Sequence, residues 1–183
     1  MGRPSNRAQR RAEILAAFSR VLADHGYAGA TIAAIAREAE VAPGLIHHHF
    51  QNKEELLGGL LDALMAGFRK RIAHHEGGGD PLLAYTDGAL ALDATADVTA
   101  ARCWVGLFAE AVRHPALFRQ FRRMIDTEVA SIQKRSGYTL SDRDAGAVLA
   151  MVIGSLVMGA FAPRKTAGFA APALRTFVAA LRA

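Results

Sequence analysis

Three consecutive histidines, His47, His48 and His49, are the residues in this 183-residue chain that most invite a chemical reading. Imidazole can ligate a metal, carry a proton, or meet an anion when partly protonated near pH 6.5. Neighbouring positions on a short helix point in different directions, so three adjacent rings cannot close on one ion, and no metal is expected. The single cysteine, Cys103, excludes a disulfide within the chain and any multi-cysteine zinc site, which suits a reducing compartment. Gly77-Gly78-Gly79 is followed by no Gly-Lys-Ser/Thr and preceded by no strand, so it is not a phosphate loop. There is no Gly-x-Ser-x-Gly elbow and no His-Glu-x-x-His, and Asp142 and Asp144, two apart, do not share a helix face. No constellation argues for catalysis. The chain reads as a non-enzyme without a cofactor, and its histidines read as partners of something anionic.

The charge distribution points the same way. The formal net charge is +5, and the first twelve residues carry Arg3, Arg7, Arg10 and Arg11 with no acid among them. A basic arm on a nearly neutral body fits a nucleic-acid partner. A solvated, frayed terminus would look the same, so charge alone leaves both readings open. The arm has no apolar stretch behind it, so no secretion signal is read and a cytoplasmic location is expected.

These residues need elements to hold them. Ile14, Leu15, Phe18, Val21 and Leu22 recur at helical spacing from Asn6 to about His25, where Gly26 ends the helix. Thr31 is placed to cap a second helix to about Ala39, and Pro43 to open a short third one ending near Phe50. Asn52 caps a fourth helix to about His75, with Glu54 and Glu55 in the first turn, where the helix dipole favours acids. After the Gly77–Pro81 linker come helical segments over 81–93, 96–113, 115–136, 141–162 and 170–182. No strand alternation appears. The expected fold is all-α, about nine helices.

Residues 31–53, TIAAIAREAEVAPGLIHHHFQNK, hold two short helices around a tight turn, which is a helix-turn-helix pattern. In that geometry the second helix enters the major groove and presents its first residues to base edges. Thr31, Pro43, Gly44, Leu45, His47 and His48, with His49 at the edge, are then the expected DNA contacts, and the Lys53 ammonium is placed to meet a phosphate. His25-Gly26-Tyr27, Thr31-Ile32, Ile35-Ala36, Val41, Gly44, Ile46, His49-Phe50 and Lys53-Glu54-Glu55-Leu56 resemble the TetR family of regulators without a gap over residues 10–57. APGLIHHHF, Ala101-Arg102-Cys103-Trp104-Val105, His114-Pro115-Ala116-Leu117 and Gly154-Ser155-Leu156 are similar, more loosely, to its BetI-like branch, named for a choline-responsive repressor. Three positions depart from the family pattern. Glu40 stands where Gly is usual in the turn, Ala42 where Ser often caps the reading helix, and His47 where a Tyr usually touches phosphate.

The resemblance implies a repressor that binds a near-palindromic double-stranded operator as a homodimer. Residues 1–56 would read DNA, and residues 57–183 would bind an effector and dimerise through the last two helices, about 142–182. A small molecule would bind among helices four to eight and shift the spacing of the two heads. Trp104, Phe108, Phe121, Met124, Met151 and Met158, with Phe118 and Phe161, are the candidate lining. Their chemistry suits an apolar or quaternary-ammonium guest, although each also fits plain core packing. Residues 145–162 run without a formal charge and are just long enough for a membrane span. Small residues four apart, Gly146, Ala150 and Gly154, favour instead a buried central helix that also forms a dimer seam, and no membrane partner is expected. Two other classes stay open: an architectural DNA-binding protein without an effector, and a ligand-binding helical protein that has lost DNA binding.

Overall fold

A computed structural model describes residues 6–77, 79–90, 98–166 and 170–182. The described residues form ten helices and no strand. These are α1 (Asn6–Gly29), α2 (Ile32–Glu38), α3 (Pro43–His49), α4 (Lys53–His75), α5 (Pro81–Ala89), α6 (Val98–Ala111), α7 (Pro115–Arg135), α8 (Asp142–Phe161), α9 (Pro163–Thr166) and α10 (Ala170–Arg182). The nine expected helices are all present, and the tenth, α9, is a single turn. Arg3 and the expected helix ends at 91–93 and 96–97 lie outside the described residues.

Local chemistry sets most of these boundaries. Thr31 Oγ1 accepts from the Ala34 amide at 3.1 Å, and Asn52 Oδ1 from the Glu55 amide at 2.8 Å. Asp80 and Ser141 cap α5 and α8 in the same way. Each satisfies an amide that the first turn of a helix leaves without a partner. Gly26 takes φ 66, ψ 178, and the chain turns there before one more helical turn to Gly29. That left-handed φ suits glycine alone among common residues at low cost.

One continuous core links the N-terminal helices to the body. Ile14, Phe18 and Leu22 of α1 pack with Ile35 of α2, Ile46 of α3 and Leu56 and Leu60 of α4, all buried. From the body, α6 lies along α1. Gly106 brings its backbone close to Leu22, and the Cys103 thiol donates to the Ser19 carbonyl at 3.1 Å. α8 is long and apolar enough to cross a membrane by length and composition, with mean hydropathy 1.8. Here Ala145, Val148, Leu149, Val152 and Leu156 bury into the core, and α8 packs on α6, α7 and α10.

α5 crosses α4 at Gly88, where an added Cβ would sit 2.4 Å from Ile72 Cα and 2.8 Å from Ile72 N. Both neighbours are backbone and cannot rotate away. Gly88→Ala should therefore force the two helices apart and destabilise the protein by about 1–3 kcal/mol. Urea denaturation measures this, and a stability equal to wild type would show that the crossing is looser than described.

Candidate nucleic-acid interface and effector cavity

The turn between α2 and α3 is closed by backbone geometry. The Val41 amide donates to Ala36 O at 2.9 Å and the Glu40 amide to Arg37 O at 3.2 Å, with Glu40 at φ 54. This is a Schellman end, a geometry that normally has Gly at the left-handed position. Glu40 pays the steric cost of that conformation, and the turn keeps the shape a glycine would give it. Ala42 opens α3 with no side-chain cap, as its methyl requires. Pro43 at the first helical position fixes φ and needs no amide partner there.

α3 presents Pro43, Gly44, His47 and His48 to solvent, with Leu45 half-buried among them. Thr31 is also exposed, although its hydroxyl is engaged as a cap. An open groove of about 380 Å³ separates the start of α1 from α3, edged by Asn6, Arg7, Arg10, Leu45, His48 and His49. The folded chain thus gathers Arg7 and Arg10 of the basic arm and the reading helix on one side. Arg10 is partly paired with Glu13 at 2.6 Å.

Three of the expected contacts turn inward. His49 is 7 % exposed and belongs to the reader's core, because α3 is only two turns long and its last residues must bury against α1 and α4. It is not a surface contact. Arg11 donates to the His49 carbonyl, pairs with Glu55 at 3.2 Å and lies 4.0 Å from the centre of the Phe50 ring. Lys53 donates to the Tyr27 carbonyl, with its ammonium 3.9 Å from the centre of the Tyr27 ring. Burial lowers the Lys53 pKa, and Glu110 opposes that shift. In the free protein these two cations tie α1, α3 and α4 together. The phosphate contact expected of Lys53 would require it to leave Tyr27.

His114, whose side chain is 19 % exposed, joins the reader to the body. Its amide donates to Glu110 O at the end of α6, and its carbonyl accepts from the Phe118 amide at the start of α7. Its Nδ1 lies 3.1 Å from Glu54 Oε1 on α4, and its ring stands edge-on to Tyr27.

Inside the body, α4, α6, α7 and α8 enclose a cavity of about 20 Å³. Trp104, Phe108 and Met124 of the candidate lining border it, together with Met65, Phe68 and Leu149. Phe121 is not in the wall but stacks behind it, 4.9 Å from Phe108 and 6.3 Å from Trp104 between ring centres. Met151 and Met158 do not line the cavity either. Met158 is 51 % exposed on the outer side of α8, because a helix buried on one face must turn its other face outward. The wall also holds Glu128, which the sequence reading missed. The available signal was an acid within the apolar series Leu117, Phe121, Met124, Ile132 on α7. Its partner is Arg69 of α4, with Nη2 at 2.9 Å and Nε at 3.2 Å, both from Oε1. Burial raises the Tyr85 pKa, and the nearby Glu128 adds to that shift.

Two short helices around a tight turn, with a basic groove beside the second, define a helix-turn-helix DNA-binding protein. A family model described as "Bacterial regulatory proteins, tetR family" matches residues 14–60. An HTH-type transcriptional regulator BetI of Ectopseudomonas mendocina is 31% identical over 154 residues, covering 73% of this chain and 78% of its own. The BetI of Stenotrophomonas maltophilia is 30% identical over 115 residues, and that match spans 58% of its length. Among solved structures, a transcriptional regulator from Rhodococcus superposes with a TM-score of 0.82 at 24% identity, covering 93% of this chain and 95% of that one. A transcriptional regulator from Saccharomonospora viridis in complex with choline gives 0.72 at 20%, covering 94% and 96%. This chain belongs to the TetR family of transcriptional regulators. It is a regulator and not an enzyme.

Burial, then the charges of His48 and of Arg7, Arg11 and Arg10, lower the His49 pKa. A histidine free in the unfolded chain titrates near pH 6.5. The unfolded state therefore takes up a proton that the folded reader resists. The stability this contributes is complete above about pH 6.5 and is lost as the pH falls below it. His49→Phe should flatten that acid limb in a thermal-unfolding series from pH 7.5 to 5.5. An unchanged slope would place the acid sensitivity elsewhere.

Proposed function

We propose that this chain is a ligand-responsive repressor that binds a near-palindromic operator as a homodimer. Residues 1–56 read DNA, and residues 57–183 bind the effector and dimerise. The observation that carries the reading is the exposed start of α3, Pro43 to His48, beside the Arg7 and Arg10 groove. It suits insertion into the major groove with backbone phosphates alongside. Gly44 makes a particular case for contact. An added Cβ there would meet nothing within 4 Å, so the fold does not require glycine at this position, whereas close approach to a base edge would.

The dimer reading draws on the outer faces of α8 and α10. On α8, Ala150, Gly154, Met158 and Phe161 point outward, and an added Cβ at Gly146 or Gly154 would meet nothing within 4 Å. Such a face accepts a second helix closely, and an identical copy supplies one. α10 packs beside α8 and is tied to α5 by Arg175 on Asp87 and to the α5 cap by Arg182 on Asp80. The effector reading draws on the cavity between α4, α6, α7 and α8, and on relatives that include a choline complex. Two heads joined by one dimer seam both engage only when their spacing matches the half-sites, so a ligand that favours another spacing releases the operator. A cytoplasmic location fits this role.

Purified protein titrated against the duplex upstream of its own gene, and against scrambled DNA, through a salt series tests the reading. The expectation is sequence-selective binding at two chains per duplex, weakening steeply with salt. Gly44→Ala should leave thermal stability unchanged or slightly raised, since Ala is the better helix former by about 0.5–1 kcal/mol. It should weaken operator binding at least several-fold. Equal weak binding to both duplexes would favour an architectural protein. Absence of binding at low salt would refute the repressor.

A further inference from the structure

Tyr27, in the last turn of α1, is held by residues of other elements on two sides. The Lys53 ammonium of α4 lies 3.9 Å from the centre of its ring and donates to its carbonyl. The His114 ring stands edge-on to it, with centres 5.4 Å apart. His114 itself is placed between two carboxylates. Its Nδ1 is 3.1 Å from Glu54 Oε1 on α4, and its Nε2 is 3.4 Å from Glu110 Oε2 on α6. A neutral imidazole carries one N–H and serves only one of them, while the imidazolium serves both. The charged and titratable groups at this junction are therefore Tyr27 of α1, Lys53 and Glu54 of α4, Glu110 of α6 and His114. Arg113, next along the chain, is exposed, and so is Arg119, the first charged residue of α7. With a neutral ring, the two carboxylates exceed the one ammonium by a full negative charge.

We propose that Glu110 and His114 of the body are positioning residues for Lys53, which they park on Tyr27 in the free protein, and that Lys53 leaves for a DNA phosphate as His114 takes up a proton. This rests on the reading of Lys53 as a phosphate contact. When the neutral ring donates from Nδ1 to Glu54, it turns the lone pair of Nε2 toward Glu110. The Glu110 side chain is 13 % exposed, against 55 % for Glu54, so water serves it poorly. Glu110 then draws its countercharge from Lys53, and that attraction offsets part of the cost of burying the ammonium.

Once Lys53 moves out to the DNA, Glu54 and Glu110 stand beside a neutral ring with no ammonium to balance them. A proton on His114 restores the balance, and the imidazolium donates to both carboxylates at once. Two cations thus exchange at one carboxylate of the body, and the operator gains the one that leaves. Such coupling is reciprocal. If operator binding draws a proton onto His114, a lower pH tightens operator binding. Protonation of His47 and His48 on the outer face of α3 would act in the same direction, by direct attraction to phosphate. That effect does not pass through Lys53, which separates the two.

The test follows operator affinity of the full chain by fluorescence anisotropy from pH 7.5 to 6.0 at constant ionic strength. The proteins are wild type, His114→Gln, Glu110→Gln, and each of these three with Lys53→Met added. Proton uptake on binding is read by calorimetry in buffers of different ionisation enthalpy. Across this range wild type should tighten about threefold more than His114→Gln, with His47 and His48 present in both and cancelling. Glu110→Gln should bind more tightly than wild type at pH 7.5, because the parked ammonium loses its hold, and should share the flatter profile of His114→Gln. In the Lys53→Met background both differences should vanish. A His114→Gln profile parallel to wild type would overturn the proposal, since a merely structural role lowers affinity alike at every pH. So would weaker operator binding by Glu110→Gln, or differences that persist without Lys53. If Lys53→Met alone left affinity and salt slope at wild-type values, the phosphate contact would be lost and the proposal with it, while selective operator binding stood. Absence of operator binding by wild type would sink the repressor reading itself and this proposal with it.

Discussion

The continuity of α4 is the constraint on which the rest of the structure depends. It runs unbroken from the Asn52 cap to His75, about 34 Å of one rigid element. Its first turn is bound into the reader through Lys53 on Tyr27 and Glu55 on Arg11. Its later turns supply Met65 and Phe68 to the cavity wall and Arg69 to Glu128. Long helices curve gently but kink sharply only at a local cause, and α4 is continuous from Lys53 to His75, so a displacement at one end is carried toward the other. Gly58, Gly59 and Gly67 interrupt its propensity without breaking it, because Leu56, Leu57, Leu60, Leu61 and Phe68 bury one whole side.

The reader shows how a small three-helix unit economises on core. Its buried apolar set is short, and cations fill part of the stabilising role. Arg11 covers the Phe50 ring and closes the end of α3, and Lys53 covers Tyr27. Long basic side chains can bury their stems and spend their donors on carbonyls. The residues that stay exposed are those whose side chains have no such partner within the unit: Pro43, Gly44, His47 and His48 on the outer face of α3, and Arg7 in the first turn of α1.

The body is organised around α6 and α8. α6 turns Cys103, Gly106 and Glu110 toward α1 and the α6–α7 corner, and Trp104 and Phe108 toward the cavity. Reader contact and cavity wall are therefore opposite faces of one helix, and His114 at its end touches both α4 and α1. α8 has the same two-faced character, with Val148 and Val152 inward and Gly154 and Met158 outward.

The sequence by itself determined what depends on neighbours along the chain. Helix starts at Thr31, Pro43, Asn52, Pro81 and Ser141 were legible because a cap is a contact over three residues. The helix-turn-helix was legible because its spacing is local. The one-turn α9 was not, since four residues carry no periodicity. Tertiary structure alone decided which way each charged side chain spends its bonds. Arg11 and Lys53 look like surface cations in sequence, yet their partners lie 38 and 26 residues away. His49 looks like its neighbours, yet the turn of α3 buries it. Glu128 reads as one more surface acid until α4 and α8 close over it. Ionic and burial choices like these depend on distances between helices, and one-dimensional spacing holds no record of those distances.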